Sequence, residues 1–232
     1  MFIHGGGWVT EDIDTYEKIC LTIARKTGHM LVAVDYRLAP ENPFPAALED
    51  CYKVVRAVLK FHKISGTSRK ITLMGDSAGG NLAAALSLYM RDRGEQTVDR
   101  QILIYPATYN DHTETSPFRS VIENGTDYIL TSKHICDYMD LYCGKKEDRS
   151  NPYLAPLLAD DFGNQPDTLI ITAEYDPLRD EAEEYGRRLK EAGNLVTVHR
   201  IKNAMHGYFS LSTRFSAVKE TYDIINRFLK GR

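Results

Sequence analysis

The sequence predicts an α/β fold: a doubly wound, mostly parallel sheet of about six strands, with helices on both faces and a partial helical lid. Two observations carry this. Short apolar runs alternate with amphipathic stretches from end to end of the 232 residues, as strands covered by helices require. Several of the apolar runs also lack polar alternation, as strands buried on both faces do.

In chain order, strands are expected at residues 1–3, 30–35, 70–74, 101–105, 168–172 and 196–201. After the first, Ile13, Tyr16, Ile19, Cys20 and Ile23 recur at three- and four-residue steps, the stripe of a helix with one buried face. Segments 46–61 and 79–91 repeat that pattern. Residues 108–167 then interrupt it: about sixty residues between two strands is a length that usually serves function or carries its own helices. Within this insertion 126–142 has helical periodicity and is expected to form part of a lid, and 154–156 to return the chain to the core. Leu178, Ala182, Tyr185, Leu189 and Ala192 make the next stripe before Gly193, and 215–229 the last, with Gly231 placed as a helix stop. The chain reads as one domain over 1–232, with 108–167 as a lid-containing insertion.

Composition excludes several function classes. Hydrophobic residues make up 43% and charged ones 26%, and 29 basic against 32 acidic side chains leave a formal net charge of −3. Without clustered Lys and Arg there is no footprint for a phosphate backbone, so nucleic acid is not an expected partner. No apolar run approaches the ~18 residues of a membrane span, and Met1 leads directly into Phe-Ile-His-Gly rather than a basic segment, so a cytoplasmic location is expected. Cys20, Cys51, Cys136 and Cys143 show no C-x-x-C or zinc spacing and read as free thiols of a reducing compartment. His134 with Cys136 and Cys143 would not converge on one helical face, so no metal site is expected.

Residues 71–85 read I-T-L-M-G-D-S-A-G-G-N-L-A-A-A, an apolar strand running through G-x-S-x-G into a small-residue helix. This is the context of a nucleophile elbow, with Ser77 projecting from the carboxyl edge of the sheet. Glycines flank the serine because a side chain there would collide with the neighbouring strand or helix. G-D-S also surrounds the serine of trypsin-like proteases, but there the histidine and acid precede it, whereas most of this chain follows Ser77. A serine nucleophile needs N–H groups aimed at a developing oxyanion, and His4-Gly5-Gly6-Gly7-Trp8 supplies them, with Gly5, Gly6, Gly7 and Ala78 as candidate donors. Which two glycines donate stays open. A phosphate-binding loop is the rival, but neither G-K-[ST] nor G-x-G-x-x-G is present.

The remaining partners should be an acid after a later strand and a histidine after the last. Asp176 and His206 stand there, with Glu174 and Asp180 as rival acids, Asp180 falling within the helix stripe as a solvated position. His29, His62, His112, His134 and His199 read as surface polar residues. Asp111, Glu114, Glu123 and Asp127 in the lid likewise read as solvated.

Together these residues resemble the hormone-sensitive-lipase family of α/β-hydrolases, which includes bacterial acetyl esterases and arylacetamide deacetylase. Besides His4–Trp8 and the elbow, Y-R-L-A-P-E stands at 36–41, F-P-A-A at 44–47 before Asp50, D-P-L-R-D-E at 176–181 and H-G-Y at 206–208. The resemblance implies an α/β-hydrolase fold and a serine carboxylesterase acting on short-chain acyl esters, or sometimes aryl amides, without metal or cofactor. Its partner would be a small-molecule ester. Two other readings share the scaffold: a non-catalytic ligand-binding protein or an inactive shortened member, and an amidase or peptidase, since fold alone does not decide function.

Members of that family carry several tens of residues before the glycine loop, whereas His4 is the fourth residue here. The first strand is therefore expected to be a stub and 30–35 a sheet edge. Less cover over the pocket would leave Trp8 exposed and weaken acyl-chain selectivity, and the free edge or uncapped pocket would favour a homo-oligomer.

Overall fold

A computed structural model of the chain describes residues 1–66, 70–95 and 98–231. Strand β1 (Phe2–Ile3) lies between β2 (Ala33–Val34) and β3 (Thr72–Asp76), and β4 (Arg100–Ile104), β5 (Asp167–Tyr175) and β6 (Val196–Met205) continue outward from β3. Among the described residues this makes one six-stranded sheet, every pairing parallel, in the order β2-β1-β3-β4-β5-β6.

Alternate residues of β1, β3, β4 and β5 feed two cores. Ile3, Leu73, Leu103 and Ile170 face α2 (Ala46–Ser65), α3 (Ala78–Asp92) and α6 (Arg179–Glu191). Phe2, Met74, Ile102, Ile104, Leu169 and Ile171 face α1 (Glu17–Thr27) and α7 (Ser216–Leu229). Full burial of each such side chain contributes about 1.5–3 kcal/mol, and the two-sided demand explains why these strands carry no polar alternation. Helix α3 is buried on nearly all sides. Its small residues allow that: a Cβ on Gly79 would stand 2.1 Å from the Ile3 carbonyl oxygen, and one on Gly75 would stand 2.2 Å from that of Gly79.

Several boundaries differ from the sequence reading. β2 ladders only at Ala33–Val34, because its neighbour β1 offers two residues. It is the edge of the sheet, as expected. β5 runs on to Tyr175 because β6 accompanies it, with a bulge between Ala173 and Tyr175. The first helix begins at Glu17 rather than near Ile13, which is 38% exposed. Asp12 holds a turn there, its Oδ1 accepting the Thr15 N–H at 2.8 Å. Between β4 and β5 the chain holds two α-helices, α4 (Arg119–Asn124) and α5 (Ser132–Tyr142), where one was expected over 126–142. Gly125 separates them; a Cβ there would meet Val121 O and Ser132 Oγ at 2.1 Å. Leu154 and Ala155 are fully buried. Among the described residues no helix is long and apolar enough to cross a membrane.

Candidate active site

The carboxyl ends of β1, β3, β5 and β6 open onto one cavity of about 280 Å³. Ser77 sits between β3 and α3 at φ +54°, ψ −121°, a conformation costly for a residue with a Cβ and sustained only by the packing around it. That packing includes the Ser77 N–H, which donates to Ile104 O at 2.9 Å, and the glycine contacts beneath α3. The turn leaves the Ser77 hydroxyl in the cavity, 2.8 Å from His206 Nε2. His206 Nδ1 is 2.7 Å from Asp176 Oδ2. Asp176 is fully buried, and its Oδ1 accepts the Leu178 N–H at 2.9 Å. Asn124 of α4 donates to the Asp176 carbonyl at 3.3 Å, tying the insertion to this loop. A hydroxyl, an imidazole and a buried carboxylate in this order can deprotonate the hydroxyl as it attacks and stabilise the imidazolium that results.

The rival acids lie elsewhere. Glu174 accepts the Asn203 N–H at the edge of β6. Asp180 is not a freely solvated position: it accepts the Ser120 N–H at 2.8 Å and pairs with Arg179 at 2.7 Å, which together hold its carboxyl below the usual range despite partial burial. His112 also departs from the sequence reading. Rather than lying at the surface it is 2% exposed, 2.7 Å from Glu181, whose other oxygen accepts the N–H groups of Thr108 and Tyr109. The pair fastens the start of the insertion to α6.

Above Ser77 the glycine loop turns through Gly6 (φ +106°) and Gly7 (φ +61°), and both line the cavity with Ala78. Ala78 begins α3, where N–H groups without helical partners and the positive end of the helix dipole favour negative charge. Gly5 differs from the other expected donors, because its N–H is engaged by Asp76 Oδ1 at 3.0 Å. The other Asp76 oxygen accepts from Tyr16 at 3.0 Å and Tyr105 at 3.4 Å. Burial pushes the Asp76 carboxyl up to about 6 against these hydrogen bonds. His4 stacks on Tyr36 at 4.3 Å, and the Tyr36 hydroxyl donates to the His4 carbonyl at 2.9 Å. Burial pushes the His4 ring down. The next residue in the Y-R-L-A-P-E stretch, Arg37, forks onto Asp50 of α2 at 2.7 and 2.9 Å.

Trp8 overturns the expectation of an exposed pocket. It is 2% exposed and stacked on Tyr142 of α5 at 4.7 Å with the rings 2° from parallel. Its indole N–H points to Asn81 Oδ1 at 3.3 Å, and the Asn81 amide donates to the carbonyls of Ala107 and Leu154. Tyr138, one helical turn before Tyr142, lies on Gly7: a Cβ there would be 2.5 Å from the ring. The i, i+4 tyrosines of α5 thus clamp the loop. Asp76, Asn81 and Tyr138 were not singled out from the sequence. The first two had a signal, since a carboxylate ending an apolar strand and an amide in an apolar helix demand buried partners. Tyr138 had none, because its contact spans two distant segments. Among the described residues no three His, Cys, Asp or Glu side chains converge as a metal site.

The model of the family described as "alpha/beta hydrolase fold" matches residues 1–210. The chain is 38% identical over 210 residues to the esterase LipI of Mycobacterium tuberculosis, covering 90% of this chain and 64% of that one. It is 36% identical to the carboxylic ester hydrolase LipN of the same organism, covering 91% and 57%. It therefore spans less than two thirds of the length of these curated relatives. A solved structure of a hyperthermophilic esterase from the archaeon Pyrobaculum calidifontis superposes with a TM-score of 0.92 at 39% identity, over 99% of this chain and 75% of that one.

Proposed function

Because the chain belongs to the α/β-hydrolase fold family, in its hormone-sensitive-lipase branch, we propose that it is a serine carboxylesterase that hydrolyses short-chain acyl esters through an acyl-enzyme intermediate. The observation that carries this reading is the hydrogen-bonded line from Ser77 Oγ through His206 to the buried Asp176. Ser77 attacks the ester carbonyl as His206 Nε2 takes its proton, and Asp176 orients the ring and stabilises its charged form. His206 then returns the proton to the leaving alcohol, and water, activated by the same imidazole, releases the acid and restores Ser77. The N–H groups of Gly6, Gly7 and Ala78 carry the oxyanion, while Gly5 anchors the loop to Asp76. The reading calls for no metal or cofactor.

A cavity of about 280 Å³ walled by Trp8, Leu130 and Tyr138 suits a small acyl or alcohol group. Residues 108–167 act in this reading as the lid-containing insertion of one domain, with Ile129, Leu130 and α5 lining the cavity and Asn124 of α4 bonded to the Asp176 carbonyl. Self-association through the edge strand β2 and a cytoplasmic setting, resting on four separate thiols, belong to the same proposal.

The test is reaction with a fluorophosphonate followed by intact mass, together with turnover of a small activated ester. A single adduct and turnover, both absent in Ser77→Ala, are expected. An adduct that persists in Ser77→Ala, or a cooperatively folded wild type that forms none, overturns the proposal.

A further inference from the structure

Glu11 stands at φ +70°, a conformation that side chains with a Cβ rarely adopt. Such outliers persist where the surrounding structure over-determines them, and they cluster at functional sites. Glu11 is at one: it lines the cavity that holds Ser77 and His206, and its Cγ would lie 2.9 Å from a Cβ on Gly6. Its carboxylate takes part in no hydrogen bond or salt bridge among the described residues. The neighbouring carboxylate of Asp12 is turned to the Thr15 N–H instead.

The charges around it do not cancel it. Asp76, at the base of the cavity, is held by Gly5, Tyr16 and Tyr105, and the basic side chains lining the wall are limited to the imidazoles of His134 and His206. No Lys or Arg lines it. On α5 opposite, the Lys133 ammonium is paired with Asp137. A substrate entering beside the glycine loop therefore meets one fixed, unpaired negative charge at the rim.

We propose that Glu11 is a specificity-determining residue that selects esters carrying a positive charge, on the alcohol or the acyl side, over anionic esters of the same size. The inference rests on the ester-hydrolase reading above and names its substrate class. A carboxylate at the mouth of a cavity with low-dielectric walls attracts a cation and repels an anion as each docks, and the effect weakens as salt screens it.

The experiment compares kcat/KM for three acetate esters of matched size, whose alcohols end in trimethylammonium, tert-butyl or sulfonate. At low ionic strength the cationic ester should exceed the anionic one on the order of tenfold. The ratio should shrink at high salt, collapse towards one in both Glu11→Gln and Glu11→Gly, and invert in Glu11→Lys. Glu11→Gly removes charge and strain together, and Glu11→Gln removes charge alone, so agreement between them assigns the effect to charge. An enzyme that hydrolyses the neutral ester but does not discriminate by charge overturns this inference and leaves the esterase reading intact. A preference that survives in Glu11→Gln and Glu11→Gly also overturns it. Failure to turn over any of the three, with no fluorophosphonate adduct, overturns both.

Discussion

Replacing Asp76 by Asn should change how stability depends on pH, and the size of the change follows from the burial of one carboxyl. Asp76 ends β3 directly before Ser77, 4% exposed, and burial raises its carboxyl from 3.8 to about 6. The folded protein therefore holds a proton that the unfolded chain has already released. The associated stabilisation is complete below about 3.8 and is lost as pH rises through about 6. At roughly 1.4 kcal/mol per pH unit, that window corresponds to about 3 kcal/mol. Asn has nearly the same shape and does not titrate. Its carbonyl can accept the Gly5 N–H, and its amide can donate to the hydroxyls of Tyr16 and Tyr105 once they rotate to accept. Urea unfolding of both proteins between pH 4 and pH 7 should show the stability of Asp76→Asn minus that of wild type rising by about 2.5 kcal/mol, the part of that window above pH 4. Other carboxylates titrate in both proteins and cancel in the difference. A level difference would mean that the surrounding donors fully compensate burial, and a falling one that they hold the anion; either result refutes the reasoning.

Two further outcomes test how α5 is joined to the glycine loop. Trp8→Ala should lower unfolding stability by about 3–5 kcal/mol in denaturant titration, and Trp8→Phe by less, because the first removes the stack on Tyr142 and the second keeps a ring there; a loss under about 1 kcal/mol would show the indole to be poorly packed. Tyr138→Ala removes the ring lying on Gly7 and should raise kcat/KM for hexanoyl relative to acetyl esters on the order of tenfold, as expected when a wall of an apolar pocket recedes. An unchanged chain-length profile would place the acyl group elsewhere.

Much of the fold is legible in local pattern because its causes are local. Ile102 and Ile104 face one core and Leu103 the other, so a run without polar interruption announces a strand buried on both sides. The elbow is legible for a similar reason. Gly75 and Gly79 are required by contacts within a few residues or with the adjacent strand, and the demand appears as glycine at fixed spacing. Residues 108–167 are less legible: α4 carries no local signal, since its anchors are distant in sequence, Ser120 bonding Pro177 and Asp180, and Asn124 bonding Asp176.

Local pattern carries the alternation of strands and helices and the residue types at Ser77, Asp176 and His206 on which the proposed chemistry rests. Those follow from periodicity, turn requirements and the chemical types that proton transfer needs. The tertiary fold alone sets how the glycine loop is held. It assigned the Gly5 N–H to Asp76, buried Trp8 against Tyr142 where exposure was expected, and brought His112 inside against Glu181. Each of these is a contact between segments far apart along the chain. A buried polar group or a large ring takes whichever partner the packed elements bring to it, and no local pattern names that partner.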